Sequence, residues 1–192
     1  MSINSSSVGD PACFLSLAVL TERLARLPRA PRDVGRVAAL VTRGHGGRRE
    51  LLERAVLTSE GGMPGDAWAR KSPVMPEAQL AVMQRDVAEL IANGQALGLF
   101  GDNLFLDLEL AAANLPIGSR LRAGNAVLEV TPKAHNGCRK FKSRFGDDAL
   151  RLVSEAERRQ LNLRGIYLCV VEDGEVGVGD VVAVIVRAAH SV

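Results

Sequence analysis

Apolar residues along this chain fall mostly into short runs broken by glycine-rich turns, the pattern of a β protein with few helices. Val34 to Val41 is the first predicted strand and Arg54 to Leu57 the second. Further strands are expected near Gly98–Leu106, Ser119–Ala123, Ala126–Thr131, Ile166–Val171 and Val181–Val186, with a turn at Gly124-Asn125 and a hairpin signal at Asp173-Gly174. Two stretches carry helical spacing instead. Leu17, Leu20, Leu24 and Leu27 predict a helix near 12–27 that stops before Pro28. Leu80, Met83, Val87, Leu90 and Ile91 form one stripe and predict a helix over Pro76–Asn93, ended by Asn93-Gly94. Ser154 and Glu157 have capping-box spacing, so a short helix is expected to start there.

This gives a fold that is mainly β with peripheral helices, a barrel or a sandwich. Residues 1–33 read as an N-terminal arm with a short helix and linker, 34–187 as the body, and 188–192 as a tail. Residues 1–11, rich in Ser, Gly and Asp, are expected to be disordered. At 192 residues the body is long enough to bury a real core. The net charge of +2 calls for neither nucleic acid nor anionic lipid, and 4% aromatics argues against a base-stacking surface. The run Ala12–Leu20 has no basic residues before it and no cleavage pattern after it, and it is too short to span a bilayer. Three dispersed cysteines make neither a disulfide framework nor an iron–sulfur motif. A cytoplasmic protein, with no nucleic-acid or membrane partner, is therefore expected.

Chemistry concentrates in His135-Asn136-Gly137-Cys138-Arg139-Lys140-Phe141-Lys142-Ser143-Arg144. No carboxylate occurs from Thr131 to Gly146. Cations favour a thiolate over a thiol, and the thiolate is the form that attacks, carries sulfur or binds metal. Gly137 leaves the backbone free to turn beside the sulfur. The bland alternative for Cys138 is a small buried hydrophobe, but four neighbouring cations make a dry core costly for this segment. His135 is placed to accept the thiol proton or donate to a substrate oxygen near neutral pH, or else to hydrogen-bond the backbone. Arg139, Lys140, Lys142 and Arg144 either receive a phosphate or form a solvated face beside Asp147 and Asp148; Arg139 and Lys140, nearest the sulfur, are the cations best placed for a phosphate. A structural zinc at His135-x-x-Cys138 lacks a second ligand pair. Gly44–Arg49 lacks P-loop spacing and reads as a hairpin tip at the rim of a pocket. Asp66 beside Trp68 either closes that pocket or caps its own turn. Cys169 and Cys13 read as packed residues, and Asp180 as a turn residue.

An ordered set of segments resembles the MOSC domain, named for the C-terminal part of molybdenum cofactor sulfurase. The set comprises Gly65-Asp66, Gly101-Asp102-Asn103-Leu104, Ile117-Gly118-Ser119-Arg120-Leu121-Arg122-Ala123-Gly124 leading into Ala126–Thr131, the His/Cys cluster, Phe145-Gly146, Arg164-Gly165-Ile166-Tyr167, Gly174-Glu175-Val176 and Gly179-Asp180-Val181. It spans about Val34 to Val186. The resemblance implies a β-barrel with a pocket beside Cys138. That cysteine would take sulfur as a persulfide from a pyridoxal-phosphate-dependent cysteine desulfurase, or ligate molybdenum in a bound pterin cofactor. Asn103 and Asp66 match family positions at the pocket. Asp102 stands where glutamate is expected, and Gly137 where proline is common, which implies a looser cysteine loop. A molybdenum member would reduce N-hydroxylated compounds with electrons from a separate electron-transfer partner. A different class stays open on the residues alone: a non-catalytic module binding an anionic small molecule or a protein through the basic cluster. Self-association is equally open.

Overall fold

The computed structural model describes residues 2–4 and 8–189. Its strands are β1 (Ser2–Asn4), β2 (Val34–Arg43), β3 (Arg48–Leu52), β4 (Arg54–Leu57), β5 (Leu80–Gln84), β6 (Leu104–Leu106), β7 (Arg120–Ala123), β8 (Ala126–Val130), β9 (Ile166–Glu172), β10 (Gly174–Gly177) and β11 (Val181–Val186). Its helices are α1 (Leu17–Ala25), α2 (Arg85–Ala92), α3 (Arg139–Phe145) and α4 (Asp147–Ser154). The main sheet runs β1-β3-β2-β11-β7-β8-β9-β5-β6, and β6 pairs back onto β2. Strands β2 to β6 along that order thus close a seven-stranded barrel, mixed because β5 and β6 run parallel. β10 and β4 form a separate two-stranded ribbon.

Alternation along the strands sorts side chains into two apolar regions. Leu104 and Leu106 point into the barrel with Leu40, Leu80, Val82, Leu128 and Leu168, whereas Phe105 and Met83 point outward to the helices. There they meet Leu20, Val87, Ile91, Phe141, Phe145 and Leu152. Phe100 stacks on Phe145 at 4.0 Å and lies 6.0 Å from Phe141, tying α3 to the barrel wall. Each such fully buried aromatic contributes about 2–3 kcal/mol of hydrophobic stabilisation.

Several expectations need correction. The helix over Pro76–Asn93 is only its second half: Leu80–Gln84 is a central strand, and α2 begins at Arg85. Leu80, Ala81, Val82 and Met83 are all buried, because one face of β5 looks into the barrel and the other onto the helical layer. Of the strand expected at 98–106, only Leu104–Leu106 forms; Leu97–Leu99 is a 3-10 turn. Ser154 ends α4 instead of starting a helix, and a 3-10 turn at Ala156–Leu161 follows. α3, immediately after Cys138, was not foreseen. Asp173-Gly174 makes no hairpin between the last long strands: β9 lies between β8 and β5, β11 between β2 and β7, and β10 crosses to β4. The arm's helix is shorter than expected, with Ser16 as its N-cap. Residues 8–11, expected to be disordered, are held in place: Gly9 is buried and its N–H donates to the Ser143 carbonyl at 3.1 Å. The expectation for residues 1 and 5–7, and for 190–192 of the tail, falls outside the described residues.

Candidate active site

Several segments converge on one side of the barrel to form a cavity of about 540 Å³, the following among them. β2 and β3 bring Arg43, the Gly44–Gly47 turn and Arg49; the loop before β6 brings Gly101; α3 and the residue before it bring Cys138, Lys140, Phe141 and Arg144. Cys138 is solvent-exposed and extended (φ −137°), the residue before the first turn of α3. Gly137 is not a source of looseness: a Cβ there would lie 2.4 Å from Leu150 Cδ1, so the glycine lets the cysteine loop lie directly on α4.

Arg43 reaches the cavity and Asp66 holds it there. Asp66 is 2% exposed and accepts from Arg43 Nη2 at 2.6 Å, Arg43 Nε, the Arg43 backbone N–H and Asn103 Nδ2 at 3.0 Å. It also accepts from the Trp68 N–H at 2.9 Å, the two-residue turn contact of an aspartate capping its own loop. Burial pushes this carboxyl up, but the guanidinium and the two backbone N–H groups more than offset it and hold it below the usual range. Asn103 is fully buried. Its Oδ1 accepts from the Ala81 N–H, and its Nδ2 donates to the Val41 carbonyl and to Asp66.

A second buried cluster backs the cavity. Arg164 Nη1 donates to both oxygens of the fully buried Asp102, at 3.0 and 2.8 Å, and its guanidinium lies 5.2 Å from the Phe141 ring centroid. His135 Nε2 is 3.5 Å from Asp102, and the ring sits 4.3 Å from Tyr167. Burial first, then the charge of Arg164, push His135 down to about 3 against the pull of Asp102. The imidazole is therefore neutral across the neutral range, and the expectation of an easily switched proton there is corrected. Tyr167 is pushed up by burial and by Asp102.

Arg49 is the anomalous residue. It is 7% exposed, and its Nε and Nη1 are buried with no hydrogen-bond partner among the described residues. Burial, then repulsion from Arg144 and Arg43, lower it to about 10. Gly101, at φ +77°, leaves room for it; a Cβ there would lie 2.9 Å from Arg49 Nη2. Arg144 is 3% exposed, donates through Nη1 to the Leu99 carbonyl at 2.9 Å, and feels the Cys138 sulfur electrostatically. A guanidinium costs free energy when buried with hydrogen-bonding groups unsatisfied, so the Arg49 part of the floor is suited to negative charge.

The expected residues distribute unevenly. Cys138, His135 and Lys140 line the cavity, as does the Gly44–Arg49 segment expected at its rim. Asp66 and Asn103 lie behind the wall and act through Arg43. Arg139 is exposed and not part of the wall. Arg144, for which a solvated face was the leading alternative in the sequence, is buried at the floor. Arg43, Asp102, Arg164 and Tyr167 were not foreseen as site residues, and Arg49 was expected only as part of the rim. Among the described residues no three His, Cys, Asp or Glu side chains converge to hold a metal ion. No helix is long and apolar enough to cross a membrane.

A mixed barrel with one cysteine beside an arginine-floored cavity defines the class. The MOSC domain profile matches residues 64–183, more than half of the chain, and the chain belongs to that family. In structure it is similar to the YuaD protein of Bacillus subtilis, with a TM-score of 0.59 at 17% identity over 80% of this chain and 97% of that one. It is also similar to YiiM of Escherichia coli, with a TM-score of 0.55 at 20% identity over 81% and 72%. At these identities the likeness speaks for the fold alone. Among curated proteins, none matches the chain in sequence.

Proposed function

We propose that this protein uses Cys138 as a thiolate, either carrying sulfur as a persulfide or ligating the molybdenum of a pterin cofactor whose anionic end the cavity arginines would hold. The observation that supports this reading is the pairing of an exposed cysteine with buried, partner-deficient Arg49 in one cavity. A molybdenum–pterin group suits that donor set, with soft thiolate at one end and guanidinium at the other. Cys138 would hold its metal, and Arg49, Arg43 and Lys140 its anionic end; when bound it would supply two-electron redox chemistry, as in reduction of N-hydroxylated compounds. His135, neutral and buried, orients against Asp102 instead of titrating. A cysteine desulfurase as sulfur donor, or an electron-transfer partner, completes the two versions.

Metal analysis of protein purified from cells that make molybdenum cofactor, with Cys138→Ala as control, tests the metal version. Molybdenum in the wild type and its loss in the variant is the expected result; equal retention would exclude ligation by this sulfur. If neither holds molybdenum, persulfide on Cys138 after incubation with a desulfurase and cysteine is expected, read by mass spectrometry. Absence of both would leave the anion-binding module, which shares the arginine floor but has no use for the sulfur.

A further inference from the structure

Tyr167, the chain's one tyrosine, meets the cavity from the barrel wall. Ile166, Leu168 and Val170 turn into the barrel, so the residues between them on β9 turn outward. Tyr167 pairs directly with Ala81 of β5, and Ala81 lines the cavity beside it. The ring rests against His135, with 4.3 Å between centroids. The phenol is half-buried, and its hydroxyl has no hydrogen-bond partner among the described residues.

That hydroxyl is chemically distinct from its neighbours. Among the described residues lining the cavity there is no serine, threonine or carboxylate. Arg43 and Arg164 are committed to Asp66 and Asp102, and His135 turns Nε2 to Asp102. Burial and Asp102 push the phenol up, against Arg164 and Arg43, and a thiolate at Cys138 adds to the rise. Tyr167 is therefore protonated at neutral pH, a neutral O–H donor among cations. Cys138 is exposed in the same cavity, and its sulfur also has no hydrogen-bond partner among the described residues. The two groups feel each other's charge without being bonded, so a group carried on the sulfur is what would meet the hydroxyl. Arg49 marks the cavity independently as a place for negative charge, with two buried, unpartnered nitrogens.

We propose that Tyr167 binds the sulfur that Cys138 carries: its hydroxyl donates to the outer sulfur of a Cys138 persulfide and holds it in the cavity. The proposal rests on the sulfur-carrying version of the reading above. The Cys138 thiolate attacks the outer sulfur of a donor persulfide; one S–S bond forms as the donor's breaks, and the donor leaves as a thiolate. The proton on the transferred sulfur is lost to solvent. No net oxidation occurs, so no further reductant or oxidant takes part. The carried outer sulfur is then anionic, and a hydrogen bond to an ion is stronger than one between neutral groups.

Tyr167→Phe keeps the ring against His135 and removes only the hydroxyl. The test equilibrates the full-length chain with glutathione persulfide and glutathione, and reads sulfur on Cys138 by peptide-resolved mass spectrometry. In parallel, protein labelled at the tyrosine ring carbon that bears the hydroxyl is followed by carbon NMR, where a single tyrosine gives a single resonance. In the wild type Cys138 is expected to take up sulfur, and the tyrosine resonance to move as it does. Tyr167→Phe is expected to lower the equilibrium constant for uptake by about 3- to 10-fold, the scale of one net hydrogen bond. A wild type whose Cys138 takes no sulfur overturns the sulfur-carrying reading and this proposal with it. Uptake with an unmoved tyrosine resonance, or uptake by Tyr167→Phe within twofold of wild type, overturns the role of Tyr167 alone. A ring that only packs against His135 would give that last result, because phenylalanine packs in its place. If Tyr167→Phe does not fold, the wild-type resonance decides.

Discussion

Arg43 grips Asp66 through two nitrogens, Nη2 at 2.6 Å from Oδ1 and Nε at 2.9 Å from Oδ2, beneath the wall of the cavity. Removing the carboxylate strands a largely buried guanidinium as well as the Asn103 amide. Asp66→Ala is expected to cost about 3–5 kcal/mol in urea unfolding, and Asp66→Asn less. The native Asp66 carboxyl lies below its ordinary value of 3.8, so its stabilisation is complete above that value and is lost as pH falls further. Unfolding titrated downward from pH 5 should be flatter for Asp66→Asn than for wild type; parallel curves would refute the linkage.

Arg49 predicts the opposite balance of stability and binding. Its charged form is disfavoured in the native state, lowered to about 10 from 12.5, so Arg49→Met should be neutral or stabilising by roughly 1–3 kcal/mol. The same variant should bind no phosphate. Chemical denaturation and calorimetry on one preparation check both halves, and a clear loss of stability would contradict the strained-arginine account.

His135 should stay uncharged well below pH 6. Its native value near 3, against 6.5 when unfolded, means the unfolded chain takes up a proton that the native one refuses. Stability therefore falls as pH drops from about 6.5 toward 3, by up to 1.4 kcal/mol per pH unit from this group. The ring resonances in NMR should hold constant from pH 7 to pH 5, and His135→Gln should remove this part of the pH slope. A ring midpoint near 6.5 would place His135 in solvent.

Cys138 and Cys169 should separate in reactivity. Cys169 is half-buried on β9, where burial and then Glu129 push its thiol up, while Cys138 is exposed beside Lys140 and Arg144. Peptide-resolved iodoacetamide labelling at pH 7.5 should modify Cys138 first, and phosphate should slow it. Faster labelling of Cys169 would remove the reactive-thiol reading.

Gly137→Ala should disturb the site more than the fold. The added methyl meets the tip of Leu150, a flexible contact, at an expected cost of about 1 kcal/mol. The cysteine loop would shift off α4, so the Cys138 labelling rate should change while the circular dichroism spectrum does not.

The strands were legible where one face meets solvent or turns flank the run, as in β7 and β8. They were misread where a strand is buried on both faces. Leu80 to Met83 have no polar alternation to betray a strand, and their spacing to Val87 and Ile91 completes a false helical stripe. α3 was hidden because its apolar residues, Phe141 and Phe145, are interleaved with cations that read as a basic loop. Cys138 was conspicuous since its chemistry lies in its immediate neighbours. Arg43 and Arg164 were not, because an arginine is committed to a site only by burial and partners distant in sequence. Asp102 opposite Arg164 and Asp66 opposite Arg43 are such pairings, and no local pattern announces them.

Asn103 has a role beyond holding Asp66. Its backbone and side chain together bond β5 at Ala81 and β2 at Val41, the residue directly before the three-residue strand that joins those two. It is the last stitch in the seam of the cylinder. Were it cut, the seam where β6 meets β2 and β5 would be held less firmly and open more often, exposing edge that can pair with neighbouring molecules. Loss of this one amide would then surface first as concentration-dependent clumping during refolding, before any defect at the sulfur could be measured.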